Sequence, residues 1–247
     1  INKMLSNITL EASMGKQVQF IHQLVGDKTT RGTQGMWVLS TDNIPNTASV
    51  NTHFGLNWDF GDYSVTNEFY HRNMIDLVKF GESTIPIVAM NKKDASESPL
   101  IYQGNGTASG IELLLRKRNG WVTGWLSYQK NKTEYTFPSL NEGKPFLGDH
   151  DKSQEFKSVL MTHLGQWELT GNWVLATGHV YTDPENIFVV NRQIVIPSNQ
   201  NNARVEPIHH LDLSVSRSWV IYTAKIHFGL SVYNLYNRKN TSHKRNN

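Results

Sequence analysis

The sequence predicts an all-β protein, an antiparallel up-and-down transmembrane β-barrel segment of about nine long strands, with short periplasmic turns, long outer loops and an incomplete barrel. Three observations predict it. Apolar and polar residues alternate with period two over long stretches. Short turns alternate with polar stretches of roughly 20 to 35 residues, too long for loops of a compact soluble domain. Each short turn is flanked by Trp, Tyr or Phe. Such rings sit at a water–lipid interface because one part is apolar and another polar.

The elements follow in order. A weak strand lies near Ser6 to Ser13. The clearest strand runs from Val50 to Phe60: Val50, Thr52, Phe54, Leu56, Trp58 and Phe60 share one face, and Asn51, His53, Gly55, Asn57 and Asp59 the other. Gly61-Asp62 turns it into Tyr63 to Asn73, where Tyr63, Val65 and Phe69 oppose Ser64, Thr66, Glu68 and Arg72. The second hairpin spans Ala108 to Lys130 and turns at Asn119-Gly120, a strong hairpin signal. The third runs from about Glu155 to Thr177 through Leu164-Gly165-Gln166, with Trp167, Leu169, Trp173 and Leu175 on one face. The fourth, His210 to Tyr233, turns between Ser218 and Tyr222. Its return strand sets Ile226, Phe228, Leu230 and Val232 against Lys225, His227, Gly229 and Ser231. The turn aromatics are Trp58, Phe60 and Tyr63, then Trp121, Trp167, and Trp219 with Tyr222. Strands of about nine to eleven residues suit a tilted membrane crossing better than a soluble sheet. The stretches Gly15–Ser49, Ile75–Thr107, Asn131–Gln154 and Gly178–His209 are expected to be outer loops.

Composition permits this class. Of 247 residues, 38% are hydrophobic and 18% charged, both low for a globular domain. A mean hydropathy of -0.46 fits a barrel, because only the lipid face of each strand must be apolar. No run approaches the roughly 18 apolar residues of a transmembrane helix, so a membrane location would require strands. Net charge is +3 with scattered Lys and Arg. The pairs Arg238-Lys239 and Lys244-Arg245 read as solvated chain, and no nucleic-acid partner is expected. The absence of Cys removes disulfides and thiolate metal sites. Ile1-Asn2-Lys3-Met4 is not followed by a leader-like apolar core, so the chain reads as part of a longer precursor.

Catalytic constellations are weak. Asp149-His150-Asp151 could hold a metal or orient a base, but in a long polar loop solvation is the simpler reading. His209 and His210 are adjacent, so on a strand they face opposite ways and cannot chelate together. No nucleophile elbow, phosphate loop or zinc spacing is present. The expectation is no catalytic residue, no metal and no cofactor. Glu68, Arg72, Glu112, Arg116 and Asp212 fall on the inward faces. They either pair with one another or a plug, or face a water-filled lumen.

Several strands resemble a known family. Gly110-Ile111-Glu112-Leu113-Leu114 followed by Gly124-Trp125-Leu126-Ser127-Tyr128 is similar to barrel strands of TonB-dependent outer-membrane receptors of Bacteroidetes type. The segments 176–182, 204–214 and 232–240 resemble further barrel motifs of that family, in the same order. Val180 stands where the family usually has Pro, and Ile208 and His210 where it has Tyr and Arg. The resemblance spans about residues 50 to 240. It implies that residues 1–247 are the C-terminal part of one outer-membrane barrel domain of about 22 strands, the plug domain and last strand being absent. It implies the bacterial outer membrane as location and import of a scarce large ligand, a siderophore, cobalamin or oligosaccharide. Its partners would be outer-membrane lipid, the TonB complex through the plug, a surface lipoprotein, and a small-molecule or glycan ligand. Trp37, Asp42, Tyr102 and Arg204 would be ligand contacts from the outer loops. The competing readings are a soluble all-β carbohydrate-binding module, an outer-membrane diffusion porin, and a barrel enzyme using His150 and Asp151.

Overall fold

Period-two alternation becomes one long antiparallel sheet in the computed structural model, which describes residues 2–5, 7–24, 36–80, 101–149, 151–183, 186–190, 192–196 and 200–240. His150, the stretch 81–100, and the tail 241–247 with Lys244 and Arg245 lie outside the described residues. The strands are β1 (Asn2–Leu5), β2 (Ile8–Gln19), β3 (Ile21–Leu24), β4 (Met36–Leu39), β5 (Thr47–Phe60), β6 (Tyr63–Phe80), β7 (Ile101–Lys117), β8 (Val122–Thr136) and β9 (Phe146–Leu147). They continue as β10 (Gln154–Leu164), β11 (Trp167–Ala176), β12 (Val180–Tyr181), β13 (Asn186–Val190), β14 (Arg192–Ile196), β15 (Ala203–Arg204), β16 (Ile208–Ile221) and β17 (Ala224–Val232). The main sheet runs β1-β2-β5-β6-β7-β8-β10-β11-β16-β17, with β9 paired to β8. Every neighbour is antiparallel and follows in chain order, an up-and-down meander. The sheet is open among the described residues, with β1 and β17 at its edges. Three short ribbons, β3–β4, β12–β15 and β13–β14, stand apart from it.

The expected alternation holds, but its extent was underestimated. The central strands β6, β7 and β8 have 18, 17 and 15 residues, not nine to eleven. The stretches beginning at Gly15, Ile75 and Asn131 are loop only in part, since β2, β6 and β8 continue into them. Outward positions there carry Lys16, Lys130, Lys132 and Glu134, so the hydropathy pattern disappears while the ladder hydrogen bonds continue. The last turn is also tighter than expected. Ile221 pairs with Ala224, leaving only Tyr222-Thr223 in the turn, with Tyr222 at φ 54.

The register puts every strand's apolar set on one face and its polar set on the other. The apolar face has no second layer over it: Phe54, Phe69, Phe228 and Leu230 are all exposed, Leu230 by 59%. One row crosses this face through Phe60, Tyr63, Lys117, Gly124, Leu160, Gly171, Leu213 and Val232. It begins at the tip of the β5–β6 hairpin and ends at the far end of β17. With the hairpin tips taken as one level, the row climbs about eight residues, ~27 Å, over seven strand spacings, ~34 Å. That stagger corresponds to a tilt of roughly 40°, within the range of barrel strands.

Among the described residues, the bulkiest buried packing lies at the loop end of the polar face. Tyr135, Phe137 and Phe146 form an aromatic cluster, with Phe137–Phe146 centroids 6.0 Å apart and Tyr135 edge-on to both. Phe137 and Phe146 are 2% and 4% exposed. Tyr135 and Phe137 approach the sheet because β7 presents Gly106 and Gly104 beneath them. A Cβ on Gly104 would lie 2.6 Å from the Phe137 ring and against the Thr136 carbonyl, and one on Gly106 would lie 2.7 Å from the Tyr135 ring. Gly104→Val is therefore expected to lower stability by about 1–3 kcal/mol through overpacking. Gly15→Ala, with open space around it, should be nearly neutral. Urea unfolding followed by tryptophan fluorescence separates the two.

Candidate functional site

The inward face and its cap at the loop end collect the polar chemistry. In its lower part, Glu68 of β6, Glu112 of β7, Gln129 of β8 and Glu155 of β10 stand opposite one another in a single row. Gln129 Nε2 donates to Glu155 Oε1 at 3.1 Å, and Lys157 Nζ lies 2.5 Å from the same oxygen. His53 Nε2 is 3.5 Å from Glu68 Oε2. Arg72 donates through Nε to Asn51 Oδ1, and Asp59 pairs with Arg118. Asp212 accepts from Asn172 Nδ2 at 3.1 Å and from the Asn234 backbone N–H at 2.9 Å, with His210 at 3.4 Å. The register thus sets Glu68, Arg72, Glu112, Arg116 and Asp212 on one face.

Asp151 organises the cap. It was expected to be solvated, but its side chain has no exposed surface. Arg204 Nη2 donates to Asp151 Oδ2 at 2.7 Å and to Ser153 Oγ at 2.9 Å. Arg204 Nη1 donates to the carbonyls of Asp151 at 3.0 Å and Gly178 at 2.7 Å. The other carboxylate oxygen accepts the Thr133 backbone N–H at 3.1 Å. A charge removed from water needs this degree of pairing and hydrogen bonding. The network ties β15 to the end of β8 and to the entry of β10. Nearby, Asn201 Nδ2 donates to Leu147 O at 2.6 Å and to Asp149 Oδ1 at 2.8 Å. Lys79 Nζ is 3.7 Å from Asp149 and 5.4 Å from the Phe146 ring centroid.

A cleft of about 310 Å³ opens beside this cap, lined by Glu134, Asn141, Lys144, Phe146, Asn201 and Asn202 among others. Several of its amides serve as loop ties. Asn141 Oδ1 accepts the Gln200 N–H at 3.1 Å, and Asn202 Oδ1 accepts the Asp183 N–H at 2.7 Å. A hydrogen bond from Lys144 Nζ holds the Glu142 carboxyl below the usual carboxylate range, in an exposed pair.

The four expected ligand contacts divide into two groups. Tyr102 lies on β7 directly opposite Lys79. Lys79 reaches Asp149, which Asn201 joins to the strand carrying Arg204. Tyr102 and Arg204 therefore belong to one cap. Trp37 is exposed on the β3–β4 ribbon, and Asp42 is exposed in the turn closed by the Thr41–Ile44 bridge just after it. Sequence reasoning missed Lys79, Phe137, Phe146 and Asn201. The only signal near them was the Asp149–Asp151 pair itself. His209 and His210 separate as expected: His209 Nδ1 lies 2.7 Å from the Tyr236 hydroxyl, while His210 faces Asp212. No group of three metal-ligating side chains occurs among the described residues.

No family model and no curated protein matches the chain. In fold it is similar to the FrpB iron transporter from Neisseria meningitidis, F3-3 variant, with a TM-score of 0.59 at 14% identity. The similarity covers 96% of this chain and 34% of the transporter chain, so this chain spans about a third of that protein's length. At that identity the likeness shows the fold alone.

The buried network yields a sharp expectation. Arg204→Met leaves the Asp151 carboxylate buried without its cation and should cost about 3–5 kcal/mol. The double change Arg204→Met with Asp151→Leu should recover much of that loss. Chemical unfolding of the single and double variants checks the coupling.

Proposed function

We propose that this chain forms part of the wall of an outer-membrane β-barrel that acts as a receptor and transporter for a scarce, large ligand. The observation that carries this reading is the two-faced, single-layer sheet. A soluble all-β domain buries its apolar face against a second layer. Among the described residues nothing covers this one, and its exposed apolar side chains run from β2 to β17. A bilayer would satisfy that face and leave the polar face for water, a plug or a ligand.

The aromatic residues support the same reading. At the turn end stand Trp58, Phe60, Tyr63, Trp167 and Trp219. At the opposite end of the apolar band stand Tyr128 and the Phe156–Trp173 pair, whose centroids are 5.4 Å apart. On β11 the band spans eight residue steps from Trp167 to Leu175, about 27 Å along the strand. At the roughly 40° tilt this gives about 21 Å across the membrane, close to the ~25 Å apolar band of such barrels. The fold likeness to an iron transporter and the strand motifs resembling TonB-dependent receptors point the same way.

In this reading the remaining strands and a plug belong to a longer protein, and energy arrives through TonB acting on the plug. The chain performs no bond chemistry. Glu68, Arg72, Glu112, Arg116 and Asp212 line the lumen. Trp37, Asp42 and Tyr102 meet the ligand, of siderophore, cobalamin or oligosaccharide class. Arg204 supports them by holding the cap, since four of its five donors are already engaged.

The test is a pair of substitutions in the complete protein folded into phosphatidylcholine vesicles. Leu160 sits on the apolar face midway between Leu164 and Phe156. Leu160→Arg should destabilise by about 2–4 kcal/mol, as a charge at the bilayer midplane does. Ser127→Arg, on the polar face, should change stability by less than about 1 kcal/mol. Equal effects in urea unfolding would refute the membrane assignment.

A further inference from the structure

Two cations lie on the apolar face at the turn end, Lys117 over the Tyr63 ring and Arg217. Arg217 alternates with Leu213, Val215 and Trp219 on β16 and stands directly opposite Trp167 on one side and Phe228 on the other. It therefore points outward, not into the lumen. Its guanidinium carbon lies 5.0 Å from the ring centroids of both Trp167 and Trp219. Nε and Nη2 donate to Gln166 Oε1 at 3.3 and 2.8 Å. No carboxylate pairs with it among the described residues. The nearby Glu168 is on the opposite face, where it meets His163. An Arg clamped between two indoles has its fork held in place, and its remaining N–H groups are free for a second acceptor.

Directly along the strands from Arg217 is an apolar groove of about 510 Å³. Its floor is Gly171, and Leu160, Leu169, Leu213, Val215 and Leu230 form its sides. The groove exists because Gly171 has no side chain within a row of large ones: Leu160 and Leu213 are its cross-strand partners. From Arg217 to Leu213 is four residues, about 13 Å of strand, or about 10 Å of membrane depth at the roughly 40° strand tilt. One leaflet of a bilayer's hydrocarbon core is about 15 Å deep. A fixed, unpaired guanidinium at the aromatic belt and an apolar trough beside it, lying within one leaflet's depth, match the phosphate and the upper acyl chain of a phospholipid.

We propose that Arg217, held by Trp167, Trp219 and Gln166, binds the phosphate of a phospholipid from the leaflet at the short-turn end, with one acyl chain lying in the groove over Gly171. The assignment rests on the membrane reading above. Arg suits this role because its planar fork matches phosphate oxygens bidentately. The belt aromatics hold the fork at headgroup depth. The occupant is annular lipid made specific, positioned where β11, β16 and β17 meet.

The experiment uses the complete protein in non-ionic detergent, titrated with dioleoylphosphatidylglycerol and read by native mass spectrometry. The expected result is one retained phospholipid per protein, with binding weakened at least tenfold in Arg217→Gln. Arg217→Lys should fall between. Gly171→Leu should weaken binding of the two-chain lipid while leaving Arg217 intact. Dioleoylglycerol, which lacks the phosphate, should bind no better than to Arg217→Gln. Equal binding by wild type and Arg217→Gln, or by phosphatidylglycerol and dioleoylglycerol, overturns the proposal. Quenching of the outward tryptophans by bromine-labelled lipid in vesicles separates the two levels. Quenching without selective retention removes the lipid site and keeps the membrane wall, whereas no quenching removes both. An unchanged electrophoretic shift between unheated and boiled samples confirms that each variant is folded.

Discussion

Everything in this structure depends on register in a sheet only one layer thick. Successive side chains alternate faces, so slipping one strand by a single residue would send its apolar set to the polar face and its charges to the apolar face. The hairpin tips fix that register, with pairs such as Phe60–Tyr63 and Leu164–Trp167 closing directly on the turn. The break among the described strands is instructive. Between Met74 and Leu77 the β6–β7 ladder shifts, so two residues of β6 are accommodated by fewer on β7. A bulge of this kind re-aims the side chains beyond it. Lys79, which regular alternation would turn outward, instead opposes the inward Tyr102 and reaches Asp149 and the Phe146 ring. The cap's electrostatics thus depend on one local irregularity of the wall.

Charges on the inner wall are balanced at short range. Glu155 with Lys157, and Asp212 with His210, are pairs two residues apart on one face of one strand. His53 and Glu68 are diagonal neighbours across a hairpin. Such local neutralisation lets each hairpin carry its polar face independently of the others. The exception is Glu112, which stands opposite Glu68 with no cation against it among the described residues. Like charges directly opposite destabilise a sheet unless solvated or met by a third group. A water-filled or plugged lumen supplies either remedy, whereas a dry sandwich core supplies neither.

How much was legible in the sequence follows from where hydropathy reports on structure. Between the aromatic ends of the apolar band, strand faces could be read residue by residue, as with Val50 to Phe60 and Ile226 to Val232, because one face carries apolar side chains at alternate positions. Beyond the band, water meets both faces. Lys130, Lys132 and Glu134 point outward from a strand that continues to Thr136, and nothing in their polarity distinguishes strand from loop. The cap was hidden for a different reason. Arg204 and Asp151 lie 53 residues apart and meet where β15 pairs with β12 and Arg204 reaches back to the entry of β10. A buried ion pair of that separation has no local signature, and a His beside Asp151 made solvation or a metal look like the natural alternatives.

The cap also shows why discrimination and support can be separated in this architecture. Aromatic rings lie flat against the wall where β7 offers glycine, so the inner surface near the loops is shaped by backbone and ring faces rather than by long mobile side chains. That surface is rigid because it is packed to contact on one side and tied through Asp151 on the other. Trp37 sits on a ribbon that shares no ladder with the main sheet, and Asp42 in the turn just after that ribbon. A sheet carrying a firmly tied cap, with ribbons that share no ladder with it, allows the ribbons to vary in sequence without disturbing the register on which the sheet depends.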